Sequence, residues 1–271
     1  MTSVRKYLFN FKLHFLQAFN YRFNTFVGMV FGNLRLLIVI FFWNLIYGGD
    51  MQKTLNGFTL PGIVTYLIMI DVFGTLAFIM RSSGFDYSEL IKSGSLGPLM
   101  LKPRNLGADI YFKNLSTGVV AVIPQAVLVV ALTPFIGKYF IWEASAANTA
   151  FIFLFLLAGT VSGHLTCSLL GYMAFWLEEA NAVMWSFAVL LNMAMGFFIP
   201  LDFFPGWLAK ALEVLPVSSW GYIQTKIFVG LYPIERQAAL LAIQTAWIGA
   251  LLLANTLVWG RGIKRYSSVG G

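Results

Sequence analysis

Six long apolar runs constrain this chain more than any other feature of its sequence. A helix that crosses a bilayer needs about 20 mainly apolar residues. The runs that reach this length are residues 26–48, 60–80, 114–136, 148–176, 181–200 and 238–260. Charged residues make up only 11% of the chain, whereas soluble domains carry about 25%. The sequence therefore predicts an all-α polytopic membrane protein with six transmembrane helices in a single transmembrane domain, 1–271.

The segment before the first run, residues 1–25, is amphipathic. Its apolar residues recur at three- and four-residue spacing, at Val4, Tyr7, Leu8, Phe11, Phe15 and Phe19. Arg5, Lys6 and Lys12 occupy other positions. A basic polar face opposite an aromatic face is typical of a helix that lies in the membrane interface. The alternative is a helix packed on another protein.

The distribution of positive charge predicts the orientation of the chain. With a cytoplasmic N-terminus, twelve of the 18 Lys and Arg residues fall in inside segments and five in outside segments. Cytoplasmic loops are enriched in Lys and Arg, so both termini are expected in the cytoplasm of a multi-pass protein, in a bacterial inner (plasma) membrane. Residues 81–113 then form a cytoplasmic loop, and residues 200–237 lie outside. The net charge of +7 therefore reflects topology, and no nucleic-acid partner is expected.

Two charged residues fall inside predicted spans, Arg35 in the first and Asp71 in the second. A lone charge at the centre of a membrane helix costs about 2.5–3.5 kcal/mol on insertion scales. Counted from the cytoplasmic ends of their helices, both residues lie roughly 13 Å deep, because a helix rises about 1.5 Å per residue. Their matched depth predicts an intramembrane ion pair. The pair either lines a path through the membrane or, as we favour, fixes the packing of the two spans.

Two segments outside the spans are unusually apolar. In the cytoplasmic loop, FDYSELIKSG predicts a short helix with an Asp or Ser cap and a glycine stop. This knob is expected to contact a protein partner, with an interfacial loop on lipid headgroups as the alternative. The external stretch is broken by Pro200, Pro205 and Pro216, so it cannot span. It predicts a re-entrant external hairpin before the last span, shielded by protein or reaching water.

The sequence offers little for catalysis. It contains no Walker A phosphate loop, and its two histidines and one cysteine form no metal-binding cluster. Ser162 and His164 resemble a catalytic pair, but residues so close on one helix do not face each other. An intramembrane hydrolase is therefore disfavoured. We expect no catalytic residue, no metal and no cofactor in this chain.

Three stretches together resemble one family. They are IKSGSLGPLMLKPRN (91–105), YMAFWLEEAN (172–181) and GFFIPLDFFPGWLAKALEVLPVSSWGYIQTKIFVGLY (196–232). The whole chain resembles the membrane subunit of an ABC transporter of the type-2 (ABC-2-like) exporter class, in particular the small six-helix permeases that are separate chains. That resemblance makes residues 1–25 the interfacial connecting helix and the short helix around 86–93 the coupling helix.

The resemblance also implies partners. Two permeases, identical or related, would assemble with two ABC ATPase subunits, which would hold ATP and Mg. Residues expected to couple to the ATPase are Asp86, Glu89, Leu90, Ile91, Lys92, Gly94 and Leu96.

The expected function is ATP-driven export of a hydrophobic or amphipathic substrate, such as a drug, antibiotic, peptide or lipid-like molecule, by alternating access. Candidate residues of the substrate path are Asn44, Trp185, Asn192, Met193 and Met195, for each of which lipid contact or core packing is the alternative. The candidate external gate comprises Pro200, Phe204, Pro205, Trp207 and Pro216. The competing functions are a membrane scaffold that does no transport and the disfavoured hydrolase.

Overall fold

The computed structural model describes residues 3–20, 37–141 and 145–266, which are almost entirely helical. The helices are α1 (Ser3–Asn20), α2 (described over Leu37–Tyr47), α3 (Leu60–Met80), α4 (Ser82–Lys92), α5 (Leu96–Met100), α6 (Leu106–Ile136), α7 (Ala146–Tyr172), α8 (Ala180–Ala194), α9 (Gly206–Val214), α10 (Tyr222–Phe228) and α11 (Ile234–Gly262). Short 3-10 helices lie at Gly137–Tyr139, Met173–Phe175, Leu201–Phe203 and Pro216–Trp220. The predicted all-α polytopic membrane fold is confirmed.

Four helical stretches within the described residues are long and apolar enough to cross a membrane: Leu60–Lys92, Leu106–Ala131, Ala146–Phe175 and Ile234–Gly262. They correspond to the predicted second, third, fourth and sixth spans. At the fifth position, α8 has 15 residues and is about 22 Å long, less than the roughly 30 Å of a hydrocarbon core. Residues 26–36 of the first predicted span lie outside the described part of the chain. The count of six spans stays a prediction.

The end of α8 differs from the expected one. The sequence places the end of the fifth span at Pro200, but the helix ends at Ala194. Gly196 follows with a φ of +72°, its N–H bonds to the carbonyl of Met193, and the N–H of Phe197 bonds to the carbonyl of Asn192. These bonds form a Schellman motif, which glycine favours because it has no Cβ. The glycine therefore ends the helix before the proline does.

The predicted loop at 81–113 is mostly helical. Helix α4 follows α3 after the single residue Arg81, which has helical backbone angles and makes no side-chain cap. The expected Asp or Ser cap is therefore absent. Helix α6 begins at Leu106, eight residues before the predicted span, because Asn105 Oδ1 accepts the N–H of Ala108 at 2.9 Å. An Asn at this position is a favourable N-cap.

A two-stranded hairpin, which the sequence analysis did not predict, joins α2 to α3. Strands β1 (Thr54–Leu55) and β2 (Phe58–Thr59) pair antiparallel. Asn56 and Gly57 between them have φ values of 48° and 84°, as a two-residue hairpin turn requires. The Thr59 hydroxyl then accepts the N–H of Gly62 at 3.2 Å and caps α3.

The core surrounds α3. Residues 62–71 of this helix are buried without interruption, as expected for a helix that is apolar on all sides. Trp43 of α2, Phe155 of α7 and Ile223 of α10 contribute to the same hydrophobic cluster. By contrast, many large apolar side chains of α2, α8 and α11 are exposed, which marks surfaces for lipid or for another protein.

Candidate coupling ridge, external region and membrane-facing surfaces

The α4–α5 ridge, residues 82–101, lies at the end of the bundle opposite the hairpin. Its apolar residues Ile91 and Leu96 are buried with Tyr87, Ile110 and Tyr172 in one hydrophobic cluster. The ring of Tyr87 lies 4.8 Å from that of Tyr172, between centroids. The ridge is therefore packed on α6 and α7.

Polar side chains fix α4 to the same two helices. Lys113 Nζ lies 2.7 Å from Asp86 Oδ1, and Asn114 Nδ2 donates to Asp86 Oδ2 at 3.1 Å. Asn114 also donates to the Ser83 hydroxyl at 3.1 Å, which lies 2.8 Å from Nδ1 of His164. These bonds give the buried side chains of Ser83, Asn114 and His164 hydrogen-bond partners within the chain.

Two further contacts tie the ridge to α8 and to the end of α11. The Ser88 hydroxyl donates to Asn181 Oδ1 at 2.8 Å. The Tyr266 hydroxyl donates to the carbonyl of Gly94 at 2.7 Å and accepts the N–H of Gly97 at 3.2 Å. Gly94 has a φ of +75°, so it ends α4 as the sequence analysis predicts. The ridge is thereby connected to α6, α7, α8 and α11.

Glycines allow α4 to lie directly against α7. A Cβ on Gly171 would lie 2.4 Å from the carbonyl oxygen of Gly84 and 2.8 Å from its Cα. A Cβ on Gly84 would lie 2.6 Å from the carbonyl oxygen of Cys167. In both cases the obstructing atoms belong to the backbone, which cannot rotate away. A larger residue at either position would separate the two helices.

The expected coupling residues differ in exposure. Ile91 and Leu96 are buried in the chain's own core, Asp86, Leu90 and Gly94 are half-buried, and Glu89 and Lys92 are exposed. The most exposed apolar side chains of the ridge are two that the prediction did not include, Met100 at 48% and Leu101 at 89%. A role in coupling remains a prediction for all of these residues.

The candidate path residues are scattered. Trp185 and Met193 are exposed on α8, and Asn192 is half-buried. Asn44 Nδ2 donates to the Tyr139 hydroxyl at 3.1 Å. Met195 is only 3% exposed. Of the five, Met195 therefore has the surroundings of a core residue, and the path itself remains a prediction.

The predicted external region, residues 200–237, is fixed around a buried cation, Lys226. Its Nζ lies 2.6 Å from Asp202 Oδ1 and about 5 to 6 Å from the ring centres of Phe58, Tyr222 and Tyr232. The Tyr222 hydroxyl donates to Asp202 Oδ2 at 2.9 Å. These contacts join the hairpin, the segment after α8 and α10.

Two tyrosines of this region have perturbed acidity. Burial, Tyr232 and Asp202 raise the pKa of Tyr222 far above its ordinary value. Burial and the nearby Glu213 raise the pKa of Tyr232 in the same direction. Glu213 also pairs with Arg236. Both phenols therefore stay protonated and act as hydrogen-bond donors to carboxylates.

The candidate gate residues differ in exposure. Pro205 and Trp207 are exposed, Phe204 and Pro216 are half-buried, and Pro200 is buried. All seven residues of α10 are buried, and α10 packs against α3 and α7. Helix α10 is thus inserted into the bundle, while α9 has no buried residue. The gate and the re-entrant position remain predictions.

Arg35 lies outside the described residues, so the pair with Asp71 stays a prediction. Asp71 is 9% exposed on α3, and its carbonyl accepts the Thr75 hydroxyl at 2.6 Å. This burial agrees with a position inside a membrane helix that packs on its neighbours.

The residues that resembled a hydrolase pair have separate partners. Ser162 accepts the indole N–H of Trp220 at 3.0 Å, whereas His164 contacts Ser83. In the described ranges there is no group of three or more His, Cys, Asp or Glu residues that could hold a metal ion.

A family model described as "ABC-2 family transporter protein" matches residues 34–270. The chain belongs to this ABC-2 family. No curated protein matches it. Family membership makes the chain an integral, multi-pass membrane component of an ABC transporter, a permease without an ATPase motif of its own, and implies partnership with ABC ATPase components.

Sequence reasoning missed several residues that shape the ridge of this ABC-2 permease. Asn105 is an N-cap whose signal, an Asn before an apolar run with Asp109 in the first turn, is present in the sequence. Tyr266 has no sequence signal, because its contact with Gly94 joins residues that are 172 positions apart. The exposure of Leu101 likewise depends on how the ridge folds.

Proposed function

We propose that this ABC-2 permease exports a hydrophobic or amphipathic molecule from the cytoplasm or the inner leaflet, driven by a separate ATPase that docks on the α4–α5 ridge. One observation carries the proposal. The ridge is bonded to α6, α7, α8 and α11, yet it leaves Glu89, Lys92, Met100 and Leu101 at its surface.

This arrangement suits the transmission of a mechanical stroke. A push on the ridge would reach α6 through the Asp86–Lys113 pair and α8 through Ser88. Tyr266 would carry it to the end of α11. Because the links are short and partly buried, the helices would move with the ridge as rigid bodies. Alternating access would follow if two such bundles rock against each other.

A second permease, identical or related, would cover part of the exposed apolar surface. Helices α2 and α8 expose large side chains such as Phe41, Phe42 and Leu190, which membrane lipid or a partner must contact. The substrate path would run beside α8, where Trp185 and Met193 are exposed. Both termini and the ridge would lie in the cytoplasm, and ATP and Mg would bind to the ATPase.

The ridge is tested by Leu101→Asp in the assembled complex. Burying a leucine at an interface contributes about 1.5–3 kcal/mol, so its loss should weaken ATPase binding roughly tenfold or more. Substrate-stimulated ATP hydrolysis should fall with it. Leu101→Met keeps an apolar side chain and should retain binding. Lys102→Gln is a neighbouring control for charge.

Normal binding and hydrolysis with Leu101→Asp would remove this surface from the mechanism. A transport assay distinguishes an exporting permease from a membrane scaffold that does no transport. Vesicles that contain the complete complex should accumulate an amphipathic dye only with ATP, and not when the ATPase carries an inactivating Walker A substitution. The same dye level with and without ATP, and with the active and the inactivated ATPase, would favour a scaffold that does no transport.

The external gate is tested by a reversible cross-link. Trp207 is 74% exposed, so Trp207→Cys could form a disulfide with the same position of a second copy, whereas the native Cys167 is buried. Oxidation should block transport, and a reductant should restore it. Transport at full rate by the cross-linked pair would show that this surface does not gate the path.

A further inference from the structure

We propose that a cavity beside Arg81 binds an anionic amphipathic molecule, with its carboxylate or phosphate on the guanidinium and its apolar part along the aromatic wall. The cavity has a volume of about 380 Å³ and lies where α3 passes into α4, against α7 and α8. Ligand sites in proteins begin at about 300 Å³. A role of this cavity in transport rests on the function proposed above, whereas binding of the anionic molecule to the cavity does not.

Arg81 supplies the positive charge. This half-buried side chain donates to the carbonyl of Ala188 at 3.4 Å, and its Cζ lies 4.1 Å above the ring of Phe78. Among the residues that the structure describes, no carboxylate lies within ion-pair distance of it. A guanidinium has five N–H donors, so most remain available for an anion, the ligand that best compensates a partly buried cation.

One carboxylate, that of Asp86, also lines the cavity. It does not form an ion pair with Arg81, and its charge is paired with that of Lys113. Lys113 Nζ lies 2.7 Å from Oδ1, and Asn114 Nδ2 donates to Oδ2 at 3.1 Å. With Asp86 compensated by Lys113, the uncompensated charge in the wall is that of Arg81.

The rest of the wall suits an apolar chain. Phe78, Phe85 and Trp185 contribute aromatic rings, with Met184 and Leu191 beside them. The rings of Phe85 and Trp185 lie 5.2 Å apart, between centroids. Phe78 is 58% exposed and Trp185 is 65% exposed, so the aromatic side of the cavity opens onto the exposed face of α8. A molecule with an anionic head and an apolar tail therefore matches both parts of the cavity.

The same chemistry could come from an anionic phospholipid or from a single-chain amphipath that the permease carries. A diazirine-labelled fatty acid is a suitable probe, since it presents a carboxylate and cross-links to its contacts. Its methyl ester keeps the chain and lacks the charge. After irradiation of the full-length protein in phosphatidylcholine nanodiscs, peptide mass spectrometry should find labels near Trp185 and Phe85 with the acid and about tenfold fewer with the ester.

Substitutions then test the residue. Arg81→Gln retains a donor for the carbonyl of Ala188 but loses the charge, so labelling by the acid should also fall about tenfold. Arg81→Lys should restore part of it. Arg261→Gln removes an exposed arginine at the end of α11 and should change nothing. Equal labelling by acid and ester in the unsubstituted protein would overturn the proposal, whatever the variants do.

Nanodiscs that contain phosphatidylglycerol distinguish the sources. If phosphatidylglycerol protects the protein from labelling, an anionic lipid fills the cavity. If labelling is undiminished, the cavity prefers single-chain amphipaths. Either result supports anion binding. Because the assay needs neither ATPase nor ATP, it can succeed where the proposed function fails. ATP-driven transport together with equal labelling by the acid and the ester would refute anion binding in the cavity. The proposed transport function would stand.

Discussion

The contact between Gly84 and Gly171 makes a quantitative prediction for Gly171→Ala. The added Cβ would lie 2.4 Å from the carbonyl oxygen of Gly84, whereas ordinary contacts begin at 3.4 Å. Helix α4 would therefore have to move by about 1 Å, at an overpacking cost of about 1–3 kcal/mol. The same shift would stretch the 2.8 Å contact between Ser83 and His164, whose loss costs about 1 kcal/mol. The better helix propensity of alanine returns about 0.5–1 kcal/mol, so we expect a net loss of about 2 kcal/mol.

The measurement is the apparent Tm of the purified permease, followed by tryptophan fluorescence. Gly171→Ala should lower it by several degrees. Gly249→Ala is the matched control, because it lies in α11 with no atom within 4 Å of its added Cβ and should leave Tm unchanged or slightly higher. In the complete complex, Gly171→Ala should also reduce substrate-stimulated ATP hydrolysis, because the ridge no longer seats on α7.

Equal Tm values for Gly171→Ala and Gly249→Ala would refute the reasoning. They would mean that α4 yields without cost, and hence that its packing on α7 is not tight. A lower Tm with fully coupled ATP hydrolysis would separate the two claims. The contact would then stabilise the fold without transmitting the stroke.

Three further predictions concern the external region and a helix cap. Lys226→Met leaves the Asp202 carboxylate without its cation and should lower the free energy of unfolding by about 3 kcal/mol, seen as a lower Tm. Lys210 is exposed, so Lys210→Met should change the free energy of unfolding by no more than about 0.5 kcal/mol. Similar Tm values for the two variants would count against the buried pair. Because the pKa of Tyr222 is raised in the folded state, its contribution is present below about pH 10 and is lost as pH rises. Tyr222→Phe should therefore show a smaller fall of Tm than the unsubstituted protein between about pH 9 and pH 11, and equal falls would contradict this. Ser145→Ala removes the side chain that accepts the N–H of Asn148 at 3.1 Å and should cost about 1 kcal/mol, measured as a lower midpoint of denaturant unfolding; an unchanged midpoint would show that the cap is dispensable.

Much of the helical framework could be predicted because a bilayer limits the backbone structures that a spanning segment can adopt. The run 60–80 coincides with α3, Leu60–Met80, although the apolar helical stretch continues to Lys92. A spanning segment must satisfy its own backbone hydrogen bonds over a fixed thickness, so length and apolarity suffice to locate it. Gly94 was predicted in the same local way, since a helix stop with positive φ depends on one residue.

Local signals that compete are harder to rank. Both Gly196 and Pro200 can end a helix, and the glycine does so because its backbone enters the left-handed region four residues earlier. The Asn56-Gly57 turn and the Asn105 cap are also local signals, yet they lay between long apolar runs that dominated the interpretation. Such boundaries depend on which signal the surrounding contacts favour.

Tertiary structure alone decided which apolar residues of the ridge are available to a partner. Ile91, Leu96, Met100 and Leu101 are all apolar and close in sequence, but the first two are buried and the last two are exposed. The difference arises because Tyr87, α6 and α7 cover one side of the ridge. Composition and spacing determined that this chain crosses a membrane in helices. Contacts between residues far apart in sequence determined the surface that it presents, because the burial of a side chain also depends on what packs against it.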